Sequence, residues 1–127
     1  MFTLIGADEF EAMATGKSRP VLLAYINFDS GHKQMRILEK VFLKYFGDEL
    51  LKVFLLKEEF ITQQQLNNLG ILGTPEFILF YDEKEIGRKL GLVDEESLKS
   101  FLLQRILKIT REKAKGVLKN YVRSSSN

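Results

Sequence analysis

Two apolar runs, Val21–Ile26 (VLLAYI) and Leu50–Leu56 (LLKVFLL), constrain this chain more than any other feature. A strand with one wet face alternates apolar and polar residues. A nearly unbroken apolar run suits a strand covered on both faces, as in a parallel sheet flanked by helices. Between the runs, Met35, Leu38, Phe42 and Tyr45 recur at steps of three, four and three. That spacing predicts a helix with one inward face, and Gly47 is placed to stop it.

The remaining elements follow from local signals. Phe2–Ile5 is a short strand candidate. Asp8 with Glu11 forms a capping-box pattern that opens a short helix, and Gly16 to Pro20 reads as a turn. Thr62 with Gln65 is a second capping box, Leu66 and Leu69 supply the inward side of its helix, and Gly70 ends it. Phe77–Tyr81 and Glu85–Leu90 flank Asp82–Glu83–Lys84 and read as a hairpin. Asp94 caps a long final helix, with Glu95 and Glu96 in the first turn, where negative charge offsets the helix dipole. The expected order is βαβαβαββα. Right-handed crossovers make the first strands parallel and the hairpin adds an antiparallel edge. The expected fold is an α/β sandwich with a central mixed sheet flanked by helices.

Composition narrows the chemistry. The 127 residues include no cysteine and one histidine. Disulfides, thiolate nucleophiles, zinc–cysteine sites and iron–sulfur clusters are therefore excluded. A multi-histidine metal site within one chain is excluded too. No cofactor is expected. No apolar run approaches the ~20 residues of a membrane-spanning helix. Met1–Phe10 lacks the basic-then-apolar pattern of a signal peptide, so a cytoplasmic location is expected.

Charge is divided unevenly. Residues 105–127 hold seven basic side chains and one acid, a balance of +6; the rest hold 12 basic and 16 acidic side chains, a balance of −4. The final helix is expected to run to about Val122, with Leu103, Ile106, Leu107, Thr110, Ala114, Val117 and Tyr121 as an apolar stripe beside a basic face. Arg105, Lys108, Arg111, Lys115 and Lys119 form that face, and Gly116 weakens the helix by ~1 kcal/mol. The stripe packs on the body or on a second copy, or it docks a protein partner with an acidic surface. Anionic membrane or nucleic acid fits less well, because the body is acidic and no basic run is dense. The chain divides into a domain at 1–103, a basic amphipathic extension at 104–123 and a disordered tail at 124–127.

The segment Gly70-Ile71-Leu72-Gly73-Thr74-Pro75-Glu76-Phe77-Ile78-Leu79-Phe80 resembles the thioredoxin family, whose members carry a Gly-x-Pro step just before a strand ending in Phe. A hairpin, a Gly matching Gly91 and a final helix like Asp94–Leu103 follow in the family as here. Pro20–Ile26 resembles the strand that leads into the thioredoxin active site. Phe28-Asp29-Ser30-Gly31-His32-Lys33 falls where the family has Trp-Cys-Gly-Pro-Cys-Lys. The likeness covers about residues 2–103. It implies a thioredoxin-like sandwich with a cis peptide bond before Pro75. Both cysteine positions are replaced, by Asp29 and His32, and the family's buried acid falls on Leu23 or Ala24. Disulfide exchange needs an attacking thiolate, so thiol–disulfide oxidoreductase activity is excluded by composition.

What remains is a groove without its thiols. Pro75 either shapes the approach to the strand or turns the Thr74 backbone outward to pair with an extended segment, as in strand addition. Phe28 sits at the groove rim as a partner anchor or at the core edge as packing. Asp29 and Ser30 precede a helix and can cap its free N–H groups. Asp29 with His32 is alternatively an acid–base pair, but two residues with no visible nucleophile or oxyanion site define no reaction. They also fall short of a metal site's usual three or four ligands. The expected function is redox-inactive binding of a protein or extended peptide, as chaperone, adaptor or assembly factor. Phe28, Asp29, Ser30, His32, Thr74, Pro75 and Leu92 form the expected groove, and the basic helix is a second contact surface. The alternatives are a structural homodimer built on the final helix and a non-thiol enzyme using Asp29 and His32. Hydrogenase-maturation chaperones are one resemblance-based possibility, which nothing in these residues specifically favours.

Overall fold

A computed structural model describes residues 2–6, 19–27, 31–56, 58 and 61–125, without the side chains of 3–5, 114 and 116–125. The strands are β1 (Thr3–Ile5), β2 (Val21–Tyr25), β3 (Lys52–Leu56), β4 (Glu76–Tyr81) and β5 (Lys84–Leu90). The helices are α1 (His32–Val41), α2 (Gly47–Leu50), α3 (Gln63–Leu69) and α4 (Glu95–Ser125). The sheet order is β1-β3-β2-β4-β5. β1 and β2 both run parallel to β3, while β4 is antiparallel to β2 and β5 to β4. This is a mixed α/β sheet flanked by helices. The expected helix opened by Asp8 lies outside the described residues.

The two apolar runs are unbroken because the sheet is covered twice. Successive strand side chains point to opposite faces. Leu22, Ala24, Val53, Leu55, Phe77 and Leu79 pack on one side with Leu38 and Val41 of α1 and Leu98 and Leu102 of α4. Val21, Leu23, Tyr25, Phe54, Leu56 and Ile78 pack on the other side with Ile71, against Leu66 and Leu69 of α3.

Four boundaries differ from expectation. After α1 the chain widens into a π-helical turn, Phe42–Phe46, and Gly47 (φ +71°) begins α2 rather than ending the helical region. Leu50 therefore lies in a helix and is half exposed, whereas Leu51 is fully buried and β3 starts at Lys52. Hydropathy reads the two leucines alike and does not separate them. The hairpin turn is the two residues Asp82 and Glu83, both at positive φ. That conformation matches the twist of the strands it joins, and it leaves Lys84 in β5. Finally, α4 continues through Ser124 and Ser125, which were expected in the tail. No Gly or Pro follows Gly116 to stop it, and helix ends are soft by one or two residues.

The caps that organise the helices are legible residue by residue. The Thr62 hydroxyl accepts from the Gln65 N–H at 3.1 Å, and the Gln65 side chain accepts from the Thr62 N–H at 2.9 Å. Gly70 closes α3 in the left-handed conformation. The Asp94 carboxylate accepts from the Ser97 N–H at 2.7 Å, and the Ser97 hydroxyl accepts from the Asp94 N–H at 3.1 Å.

Candidate binding surface

Two loops meet at one end of the sheet. The first, Leu72 to Pro75, leads into β4 and contains a cis Thr74–Pro75 peptide bond. The second, Gly91 to Asp94, joins β5 to α4. They are tied by the Gly91 N–H, which donates to the Pro75 carbonyl at 2.9 Å. Pro75 is buried and Thr74 is exposed. Leu72 is 83% exposed and Leu92 is 80% exposed. Leu90, half exposed, lies next to Gly73: a Cβ added to that glycine would sit 3.7 Å from Leu90 Cδ1. Three leucines thus face solvent around one buried proline.

Each loop is held from beneath by a buried polar side chain. Glu76 is fully buried at the start of β4. One of its carboxylate oxygens accepts from the Leu72 N–H at 3.0 Å, and the other pairs with Arg88 at 2.5 Å. Arg88 also donates to the carbonyls of Gly70 at 2.8 Å and Leu69 at 2.7 Å, and it pairs with Glu85 at 2.6 Å. The guanidinium thereby closes the C-terminal end of α3 and neutralises the buried acid, the arrangement a buried charge requires. Its pKa lies above the ordinary arginine value, chiefly through the Glu85 hydrogen bond. The second loop is held by Gln34, buried in α1. Its amide donates to the Val93 carbonyl at 3.1 Å and accepts from the Val93 N–H at 2.9 Å.

The expected site residues divide. Thr74, Pro75 and Leu92 come together as described. His32 is exposed at the first position of α1. Phe28, Asp29 and Ser30 lie outside the described residues, so the Asp29–His32 pair does too. The N-cap position of α1 belongs to Gly31 rather than to Asp29 or Ser30, and Gly31 offers no side-chain cap. A glycine is needed there: a Cβ would lie 2.2 Å from the Asn27 carbonyl oxygen and 2.3 Å from Ile26 Cγ2. The sequence reading missed Leu72, Gln34, Glu76 and Arg88. A signal was present for Glu76, an acid opening the apolar strand EFILF. Gln34 gave none beyond its place on the inward side of α1, four residues before Leu38.

On α4 the expected faces are rearranged. Lys108, Arg111 and Lys115 are exposed, and Lys119 lies outside the described side chains. Arg105 is half-buried, donates to the Phe101 carbonyl at 3.0 Å and lies 4.2 Å from the Phe101 ring centroid. It also fills the space above Gly87, where a Cβ would meet its Nε at 2.1 Å. Arg105 therefore packs on the sheet instead of joining a free basic face. Leu107 and Thr110, expected on the apolar stripe, are exposed, whereas Ile106 and Ile109 are half-buried. Ala114, Val117 and Tyr121 lie outside the described side chains. An open groove of about 370 Å³ runs between α4 and the hairpin, lined by Tyr81, Asp82, Ile86, Ile109 and Lys113 among others.

Among the described residues, no group of three or more His, Cys, Asp or Glu side chains is placed to hold a metal ion. Among the same residues, no helix is long and apolar enough to cross a membrane.

No family model and no curated protein matches the sequence. The structure matches 255 solved chains, and a fold by itself assigns no activity. One of them, described as "Crystal structure of a designed protein", superposes with a TM-score of 0.66 at 18% identity, covering 81% of this chain and 95% of that one. At that identity the likeness shows the fold alone.

Proposed function

We propose that this chain is a redox-inactive thioredoxin-like module that binds an extended polypeptide segment across the Leu72–Pro75 and Gly91–Val93 loops. It acts as a chaperone, adaptor or assembly factor rather than as an enzyme. The thioredoxin-like assignment is supported by the sheet order β1-β3-β2-β4-β5, the cis bond before Pro75 and the hairpin that follows. The lack of any cysteine removes disulfide exchange.

The observation that carries the binding reading is the presentation of Leu72 and Leu92. Both are more than three-quarters exposed, yet the backbone under each loop is fixed by a buried polar side chain. Scattered single leucines on a surface are ordinary. Leucines grouped on pinned loops are pre-organised for contact, which lowers the ordering cost of binding. Thr74 lies exposed between them, and among the described residues its backbone makes no hydrogen bond. An extended partner gains main-chain hydrogen bonds at Thr74 and side-chain contacts at the leucines, the usual division in strand-type recognition.

The test is selection of random dodecapeptides on the immobilised full-length chain, followed by binding to Leu72→Asp, Leu92→Asp and Thr74→Arg variants. Enriched peptides that lose affinity for all three variants support the reading. Failure to enrich any peptide, or binding untouched by the variants, overturns it.

A further inference from the structure

The helix that pins the second loop carries a strip of exposed positive charge. Lys33, Arg36 and Lys40 stand at i, i+3 and i+7 on α1, a spacing that lines them up on one helix face. All three are exposed, and among the described residues none has an ion-pair partner. The first turn of α1 carries no acid. The strip is near the second loop in the chain's connectivity: Gln34, the residue after Lys33, holds Val93, the residue after Leu92.

Three of the acids nearby are engaged, and Glu39 of α1 has no ion pair among the described residues. Asp94 accepts from the Ser97 N–H, Glu76 pairs with Arg88, and Glu95 pairs with Lys44 at 3.3 Å. α1 therefore holds three cations against one acid, Glu39, and presents a net positive face.

We infer that the partner is an extended segment with apolar side chains at one end, seated on Leu72 and Leu92, and carboxylates at the other, seated along Lys33, Arg36 and Lys40. This rests on the binding reading above and adds the charge of the ligand to it. A strand rises about 3.3 Å per residue. Seven helical steps separate Lys33 from Lys40, about 10 Å, or about three residues of an extended segment. Exposed charges of this kind set partner choice and approach rate more than total affinity, and salt screens them.

The experiment uses two labelled dodecapeptides with the same Leu/Thr alternation in the first half. One carries four Glu in the second half and the other four Lys. Fluorescence anisotropy with the full-length chain at low salt is expected to favour the Glu peptide by about tenfold. The preference shrinks at high salt, and Lys33→Glu/Arg36→Glu reverses it. Leu72→Asp/Leu92→Asp weakens both peptides. Equal affinity for the two peptides, with both still dependent on the leucines, overturns the charge inference and leaves the binding reading standing. If neither peptide binds, or binding ignores the leucines, both fall. The Glu/Lys comparison on the unaltered chain needs no variant to fold.

Discussion

The Gln34 side chain holds both backbone groups of Val93, donating to its carbonyl at 3.1 Å and accepting from its N–H at 2.9 Å. Both residues are buried, so neither Val93 group has easy access to water when the partner is lost. Gln34→Ala is expected to cost about 2 kcal/mol or more, the desolvation penalty of leaving two buried polar groups unpaired. Urea unfolding measures this, and hydrogen exchange at the Val93 amide is expected to speed up in the same variant. An unchanged midpoint contradicts it.

Arg88 and Glu76 form the second clamp. Removing the cation leaves a fully buried carboxylate without its charge partner, and such losses cost about 3–5 kcal/mol. Arg88→Met is therefore expected to be among the most damaging single changes in the chain. Glu76→Gln keeps an acceptor for the Leu72 N–H and is expected to cost less. A double-mutant cycle between the two positions is expected to give a coupling above about 1 kcal/mol. Additive effects contradict the clamp.

Two glycines allow close approaches of different kinds. At Gly31 an added Cβ meets backbone, the Asn27 carbonyl oxygen at 2.2 Å, which cannot swing aside. At Gly87 it meets the Arg105 side chain, which can. Gly31→Ala is expected to destabilise by about 1–3 kcal/mol or more, as overpacking does. Gly87→Ala is expected to cost less, and less again when Arg105 is also changed to Ala. Thermal unfolding of these three variants, with Arg105→Ala alone as the reference for the double change, checks the order, and equal losses at the two glycines contradict it.

Asp94 makes stability pH-dependent with a definite sign. The hydrogen bond from the Ser97 N–H, then that of the Ser97 hydroxyl, holds its carboxyl below the ordinary value of 3.8. A depressed carboxylate pKa means the unfolded chain binds the proton more readily. The contribution is thus complete above the ordinary value and is lost as pH falls through the lowered one. The stability difference between the native chain and Asp94→Asn is expected to be constant near neutrality and to shrink on acidification below about pH 4. A difference that grows on acidification contradicts the assignment.

Much of the architecture was legible because local and global signals agree. The paired apolar runs specify strands buried on both faces, and Val21–Tyr25 and Lys52–Leu56 form them. Thr62 with Gln65 and Asp94 at the start of α4 mark their helices by hydrogen bonds between near neighbours. What stayed hidden depends on distance in sequence. Gln34 meets Val93 across 59 residues, and Arg88 meets Leu69 across 19. No local pattern announces such pairs. Arg105 read as surface charge because periodicity does not reveal that Gly87 leaves room for it on the sheet. Of the groove expected from the resemblance, Thr74, Pro75 and Leu92 lie on the two loops tied by the Gly91 N–H. Leu72 was passed over because a single apolar residue in a loop carries no signal until its exposure is known.

The most direct measurement is a backbone amide NMR titration of the full-length chain with a selected dodecapeptide. Saturable shifts are expected to concentrate at Leu72–Thr74, Leu90–Val93 and the first turn of α1, all lost in Leu72→Asp/Leu92→Asp. Shifts confined to α4 and the hairpin groove, or no saturable shifts with any selected peptide, contradict it.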